Sequence, residues 1–161
     1  MNIELPAPSA EASTSVDAPP EDVWNCVATI QNLSHHSPET IRTEWLSGSQ
    51  RHEVGARFRG HDTNGRHRWH TDCTISEYTE PTAFAFDLEP DEHGNYATRW
   101  RYTLTAEGNG TRLTESFESP VLDDRPSEMN PDRRRVLIDM LGATLASVKH
   151  DLEIVARGGL S

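Results

Sequence analysis

The sequence predicts an α+β domain in which a curved antiparallel sheet of seven strands wraps around one long C-terminal helix, with two short helices after the first strand. Three observations carry that expectation. From Thr40 to Ser119 the apolar residues recur with period two, and the runs are separated by turn residues. Near the C-terminus, Leu137, Leu141, Leu145, Val148, Leu152 and Val155 hold one stripe at helical spacing. A chain of 161 residues is the size of one ordinary domain.

Each element has its own signal. Residues 1–10 hold two prolines and read as a loose arm, leaving 11–158 as the domain. Ala12–Val16 alternates small and β-branched residues, as a first strand does. Pro20-Glu21-Asp22 suits a helix first turn, because proline needs no hydrogen-bonded N–H there and carboxylates complement the dipole. Val23, Trp24, Val27 and Ile30 follow at helical spacing and read as core. A second short helix or turn over Leu33–Ser37 is closed by Pro38. Strands are expected at 40–47, 54–63, 66–77, 82–89, 97–106 and 111–118. Their connections carry Gly48, Asn64-Gly65, Glu80-Pro81, His93-Gly94-Asn95 and Gly108-Asn109-Gly110. Such short connections make an antiparallel meander. Residues 120–130 form a linker, and the last helix has Asn130 as N-cap, Pro131 at its first position and Gly158-Gly159 as its stop. About 25 helical residues span ~38 Å, so that helix is one element laid along the sheet.

Composition narrows the function classes. A net charge of −11 argues against nucleic acid, which needs a basic face. No apolar run reaches the ~20 residues of a membrane span, and the N-terminus lacks a signal-peptide profile. Cys26 and Cys73 are far apart with no CxxC partner, as in a reduced cytoplasmic protein. No GxSxG, Walker or GxGxxG pattern appears.

Local motifs match this element order. Val16-Asp17-Ala18-Pro19 with Val23-Trp24, Gly55-Ala56-Arg57-Phe58-Arg59-Gly60-His61, Trp69 and Thr71, Trp100-Arg101-Tyr102, and Gly110-Thr111-Arg112-Leu113-Thr114-Glu115 stand in sequence. Over roughly residues 12–157 the chain resembles the helix-grip superfamily of START domains, birch-pollen-allergen-like proteins and polyketide cyclases/dehydrases. The resemblance implies an apolar pocket between sheet and C-terminal helix for a polyketide, lipid, sterol or aromatic ligand. Its mouth would lie near 33–39, 62–67, 89–97 and 120–130. In the cyclase members, pocket side chains fold a reactive chain and move protons without a metal or organic cofactor.

Strand periodicity sorts the faces independently of any family. If Asn64-Gly65 is a two-residue type I′ loop, Asp62–His67, Gly60–Trp69, Phe58–Thr71 and Ala56–Cys73 pair on the inner face. His61–Arg68, Arg59–His70 and Arg57–Asp72 then face water. Phe84, Phe86 and Leu88 point inward, as do Trp100, Tyr102 and Leu104. Leu113, Glu115 and Phe117 share a face, so Glu115 is a carboxylate directed into an apolar interior.

Glu115 is therefore the leading candidate for a general acid or base, since burial raises a carboxyl pKa toward neutral. The alternatives are a pairing with an arginine or tyrosine hydroxyl, or a bulge that turns it outward. Tyr102 would donate a hydrogen bond to a developing oxyanion, and Asp62 with His67 would assist at the entrance. The plainer reading of that last pair is a hairpin-tip salt bridge. Phe58, Trp69, Thr71, Phe84, Phe86 and Trp100 would shape the ligand, with Leu141 and Leu145 from the helix. His36, of the His35-His36 pair, is placed near the mouth. His61, His67 and His70 cannot converge on a metal, because the alternation sends His67 the opposite way from the other two. Arg133-Arg134-Arg135 reads as a solvated surface run.

The expected function is a cofactor-independent cyclase/dehydratase-type enzyme, a lyase or isomerase, acting on a hydrophobic oxygenated small molecule. Its rivals are a non-catalytic carrier or sensor of a lipid or aromatic ligand, and a partner-assisting module with a collapsed cavity. The chain would act as a monomer or homodimer, with no metal.

Overall fold

A computed structural model describes residues 9–89, 98–118 and 131–158. The elements are β1 (Ser9–Val16), α1 (Pro20–Val27), a 3-10 turn (Ile30–Asn32), α2 (Leu33–His36), β2 (Thr40–Trp45), β3 (Arg57–Thr63), β4 (Arg68–Thr79), β5 (Ala83–Leu88), β6 (Arg99–Glu107), β7 (Gly110–Glu118) and α3 (Pro131–Gly158). They match the predicted order. Seven strands form one antiparallel sheet in the order β1-β7-β6-β5-β4-β3-β2, so β1 crosses over to pair with β7 and the rest is a meander. The predicted His93 turn, the 120–130 linker and the Asn130 cap lie outside the described residues, as do the side chains of Arg133 and Val155. β1 starts at Ser9, which pairs with Glu118, so the sheet takes in the last two residues of the expected arm.

The core lies between the inner sheet face and the helices. Val23, Trp24 and Val27 of α1 are buried, and Trp24 packs on Tyr78 with ring centroids 5.2 Å apart. Along α3, Leu137, Leu141, Leu145 and Val148 are buried as the stripe predicts. Leu145 and Val148 join the main core, whereas Leu137 and Leu141 pack with Phe117 in a second cluster. Lys149 fastens the helix to β1, donating to the Ser15 carbonyl at 2.6 Å and to Glu153 at 2.7 Å. Arg134 donates to the Ser9 carbonyl. Among the described residues no helix is long and apolar enough to cross a membrane.

The β3–β4 register differs from the two-residue turn expected of Asn64-Gly65. Thr63 pairs with Arg68, Asp62 with Trp69, Gly60 with Thr71 and Phe58 with Cys73. The loop is four residues long because Asn64 folds back on it: its Oδ1 accepts from the N–H groups of Arg66 and His67, at 2.9 and 2.8 Å. The Thr63 hydroxyl also donates to the His67 carbonyl. A shift of two residues leaves the side chains that stay in the strands on their predicted faces, while His67 passes into the loop. It also sets Arg59 opposite Asp72, and the two form a paired ion contact at 2.7 and 3.2 Å.

Outside, the sheet carries a ladder of such pairs. Arg57–Glu89, Arg99–Asp87, Arg101–Glu77 and Arg112–Glu107 accompany Arg59–Asp72. The arginines are thereby committed to the water-facing side, while the inner face stays largely apolar.

Candidate functional site

A cavity of about 100 Å³ opens between the inner sheet face, α2 and α3. Its wall takes Phe58, Gly60 and Asp62 from β3, Trp69, Thr71 and Cys73 from β4, Phe86 and Leu88 from β5, Trp100 and Tyr102 from β6, and Glu115 from β7. Leu33, Ser37, Glu39, Thr40 and Thr43 line the α2–β2 side, and Met140 closes it from α3. Strand alternation explains the list. In β3, β4 and β6 the lining residues are spaced by two, so each inward position in turn reaches the cavity.

Glu115 is 3% exposed between Leu113 and Phe117, which are themselves fully buried. It pairs across the sheet with Tyr102 on one side and Ala12 on the other. The Tyr102 hydroxyl donates to Glu115 Oε1 at 3.1 Å. Glu115 Oε2 is buried and has no hydrogen-bond partner among the described residues. Loss of water pushes the Glu115 carboxyl up to about 8, and the Tyr102 hydrogen bond only partly opposes that. The same burial, followed by the neighbouring carboxyl, raises the Tyr102 phenol well above its ordinary value. At neutral pH the pair is therefore an undissociated acid beside an undissociated phenol. Of the alternatives open at the level of sequence, the tyrosine partner is present, and the side chain still points inward.

The lining polar side chains away from this pair are the hydroxyls of Ser37, Thr40, Thr43 and Thr71, the carboxyls of Glu39 and Asp62, the Cys73 thiol and the indoles of Trp69 and Trp100. Thr71 donates to Asp62 Oδ2 at 3.5 Å, a long bond, and Thr43 donates to the Ile30 carbonyl at 3.0 Å. Aromatic contacts hold the apolar wall. Phe58 meets Phe86 edge-on at 5.3 Å, and Trp100 lies tilted on Phe117 at 5.4 Å.

Several residues singled out from sequence stand elsewhere. His67 sits exposed in the β3–β4 loop and does not face Asp62, because the longer loop moves it out of the strand. Phe84 is fully buried behind the wall, stacked on Tyr102 and edge-on to Tyr78. Leu141 and Leu145 are core residues on the stripe, while Met140, just off it, reaches the cavity. His36 is held between helices: Cys26 Sγ lies 3.2 Å from its Nε2, and Ser147 Oγ lies 3.0 Å from its Nδ1. Burial lowers its pKa. His61 contacts Glu44 on the outer face at 2.9 Å. Leu33, Ser37 and Glu39 fall in the 33–39 segment expected at the mouth, whereas Thr40, Thr43 and Met140 were not anticipated, since a lining threonine or methionine has no pattern of its own.

A sheet gripping a long helix, with a largely apolar cavity between them and a buried acid in its wall, defines a helix-grip ligand-binding protein. The chain belongs to the family described as polyketide cyclase/dehydrase and lipid transport, whose profile matches residues 7–153. Three solved structures share the fold. Ara h 8.0201 superposes with a TM-score of 0.70 at 11% identity, over 89% of this chain and 96% of its own. The di-domain ARO/CYC BexL from the BE-7585A biosynthetic pathway gives 0.70 at 19%, over 92% of this chain and 47% of its own, so this chain spans about half of it. The polyketide-cyclase-like Cgl2372 from Corynebacterium glutamicum gives 0.64 at 24%, over 93% and 94%. No curated protein matches the sequence.

Proposed function

We propose that the protein is a cofactor-independent enzyme of the cyclase/dehydratase type, with Glu115 as its proton-transfer group. The observation behind this reading is the buried Glu115 carboxyl, whose Oε2 is unpartnered among the described residues in the wall of an apolar cavity. A polar atom left unpaired in a core costs about 1–3 kcal/mol, so its retention argues for use on a ligand.

The chemistry follows from the protonation state. Glu115 as the neutral acid donates its proton to a substrate hydroxyl, and the C–O bond breaks to release water. The carboxylate so formed keeps the hydrogen bond from Tyr102 and takes a proton from the adjacent carbon as the C=C bond forms. Glu115 ends in its starting state, and the net change is loss of one water. The same acid, donating its proton to a carbonyl oxygen while an enol carbon of the substrate bonds to that carbonyl carbon, assists ring closure, and its carboxylate takes back the proton that the enol hydroxyl loses. A pKa close to the working pH serves both directions of transfer. Trp69, Trp100, Phe58 and Phe86 hold the substrate in its reactive fold, which contributes through lost freedom rather than through charge. Asp62, at the other end of the wall, orients substrate hydroxyls.

The test is native mass spectrometry of wild type and Glu115→Gln purified from the native host, followed by denaturing extraction. The variant should carry a small molecule that wild type, given it in solution, converts with loss of water. One unchanged hydrophobic molecule bound in equal amount to both proteins would instead establish a carrier.

A further inference from the structure

The polar groups of the cavity are sorted along the sheet, and the described ones that can ionise are all acids. Sheet register fixes the sorting. Tyr102 faces Glu115 in one inward row, and Trp100 faces Phe86 in the next. Cys73, opposite both Phe58 and Leu88, makes the row after. Thr71 with Gly60, then Trp69 with Asp62, complete the wall toward the β3–β4 hairpin tip. Each row advances about 6.6 Å, two residues at ~3.3 Å. An acid thus stands at one end, an apolar belt in the middle, and a second carboxyl at the other end.

Among the described lining residues there is no lysine, arginine or histidine, while Glu39, Asp62 and Glu115 all line the cavity. The nearby strand arginines, Arg57, Arg59, Arg99 and Arg101, bind carboxylates on the outer face. The whole chain carries −11, which adds a negative field over the surface.

We infer that the cavity selects a neutral ligand with a carbonyl oxygen for Glu115, and rejects the matching free carboxylate. This rests on the placement of the substrate in this cavity, not on the catalytic step. A ketone, aldehyde or ester oxygen accepts the proton of Glu115 and satisfies an otherwise orphaned group. A carboxylate there gives up its hydration and meets no cation among the described lining residues, and one hydrogen bond from Glu115 does not offset that loss. Such a site takes its substrate while the acid group is still masked as an ester or thioester, which water alone can later release. A reaction that frees the carboxylate comes later in the sequence, and its product is expelled.

Acetophenone and benzoate test this, because they match in shape and differ in charge, and one ring suits the volume. Affinities for wild type, Glu115→Gln and Asp62→Asn are measured at pH 7 by ligand-observed NMR, with circular dichroism as the control for folding. Acetophenone should bind wild type at least tenfold more tightly than benzoate, and Asp62→Asn, four rows from Glu115, should leave that gap unchanged. Equal or tighter binding of benzoate overturns the inference, as does failure of both ligands to bind up to their solubility limits. The catalytic reading is judged separately. A protein that prefers acetophenone but whose Glu115→Gln variant accumulates nothing keeps this inference and loses the other, and a converting enzyme that prefers benzoate does the reverse.

Discussion

At the residue scale, Glu115 gives the molecule a pH dependence whose sign follows from burial. Its carboxyl is raised from 4.5 to about 8 in the fold, so the native state holds a proton that the unfolded chain has released. Stability is therefore fully present below pH ~4.5, falls as pH rises through the window, and levels off above about 8. At ~1.4 kcal/mol per pKa unit the loss is on the order of 4–5 kcal/mol. Glu115→Gln removes it, since an amide has the shape of the neutral acid and cannot ionise. In urea titrations the variant should gain on wild type steadily from pH 5 to pH 9; parallel curves would falsify the buried-acid assignment. His52 has the opposite sign. Its Nε2 accepts from the Ile30 N–H at 3.0 Å, the ring stacks on Tyr78 and meets Trp45 edge-on, and burial lowers its pKa. That contribution is present above pH ~6.5 and is lost as pH falls below it, because protonation removes the acceptor. His52→Gln keeps an acceptor without the titration, so its melting temperature should fall less than that of wild type between pH 7 and pH 5.

The element scale shows where local signals suffice and where they do not. The α3 stripe and the alternation of β5 to β7 place the right residues inside, because a side chain's direction along a regular element depends on its own backbone. Register depends on the partner. The Asn64-Gly65 pair fits two loop lengths, and the choice was made by the Asn64 side chain together with the Arg59–Asp72 match. Faces survived the two-residue slip, but the partnership of Asp62 with His67 did not. Gly110 is a position where an element tolerates only one residue. A Cβ there would lie 2.6 Å from the Val16 carbonyl oxygen, a backbone atom that cannot step aside without breaking the β1–β7 ladder. Gly110→Ala should cost about 1–3 kcal/mol in chemical denaturation, with the loss in the β1–β7 pairing. Gly60→Ala serves as the contrast. Its new methyl would meet atoms only at 3.8 Å and beyond, so it should fold normally while trimming the cavity.

At the scale of the molecule, the ligand space is what remains when one helix is laid across a curved sheet. The helix therefore sets its size. Met140 closes the cavity from α3, next to the fully buried Leu141. Met140→Ala should admit a two-ring ketone that wild type binds poorly, read as a gain of at least tenfold by equilibrium dialysis. Leu141→Ala, in the second cluster with Phe117 and Leu137, should cost about 2–5 kcal/mol without a comparable gain in binding. If both substitutions open the site equally, the wall is not set by Met140.

The amino-acid sequence by itself determined the element order, the face of each strand and the presence of a carboxyl at the apolar position Glu115. These follow from periodicity and turn chemistry, which act over a few residues. Tertiary structure decided what that carboxyl is: Tyr102 on one oxygen, no described partner on the other, and enough burial to keep its proton at neutral pH. It also sent Phe84, Leu141, Leu145 and His36 to the core and the helix contacts, and brought Met140 and the α2–β2 wall to the cavity. Burial and partnership are properties of segments far apart in the chain. They exist only once β7 has paired with β1 and β6, and α3 has been laid over them.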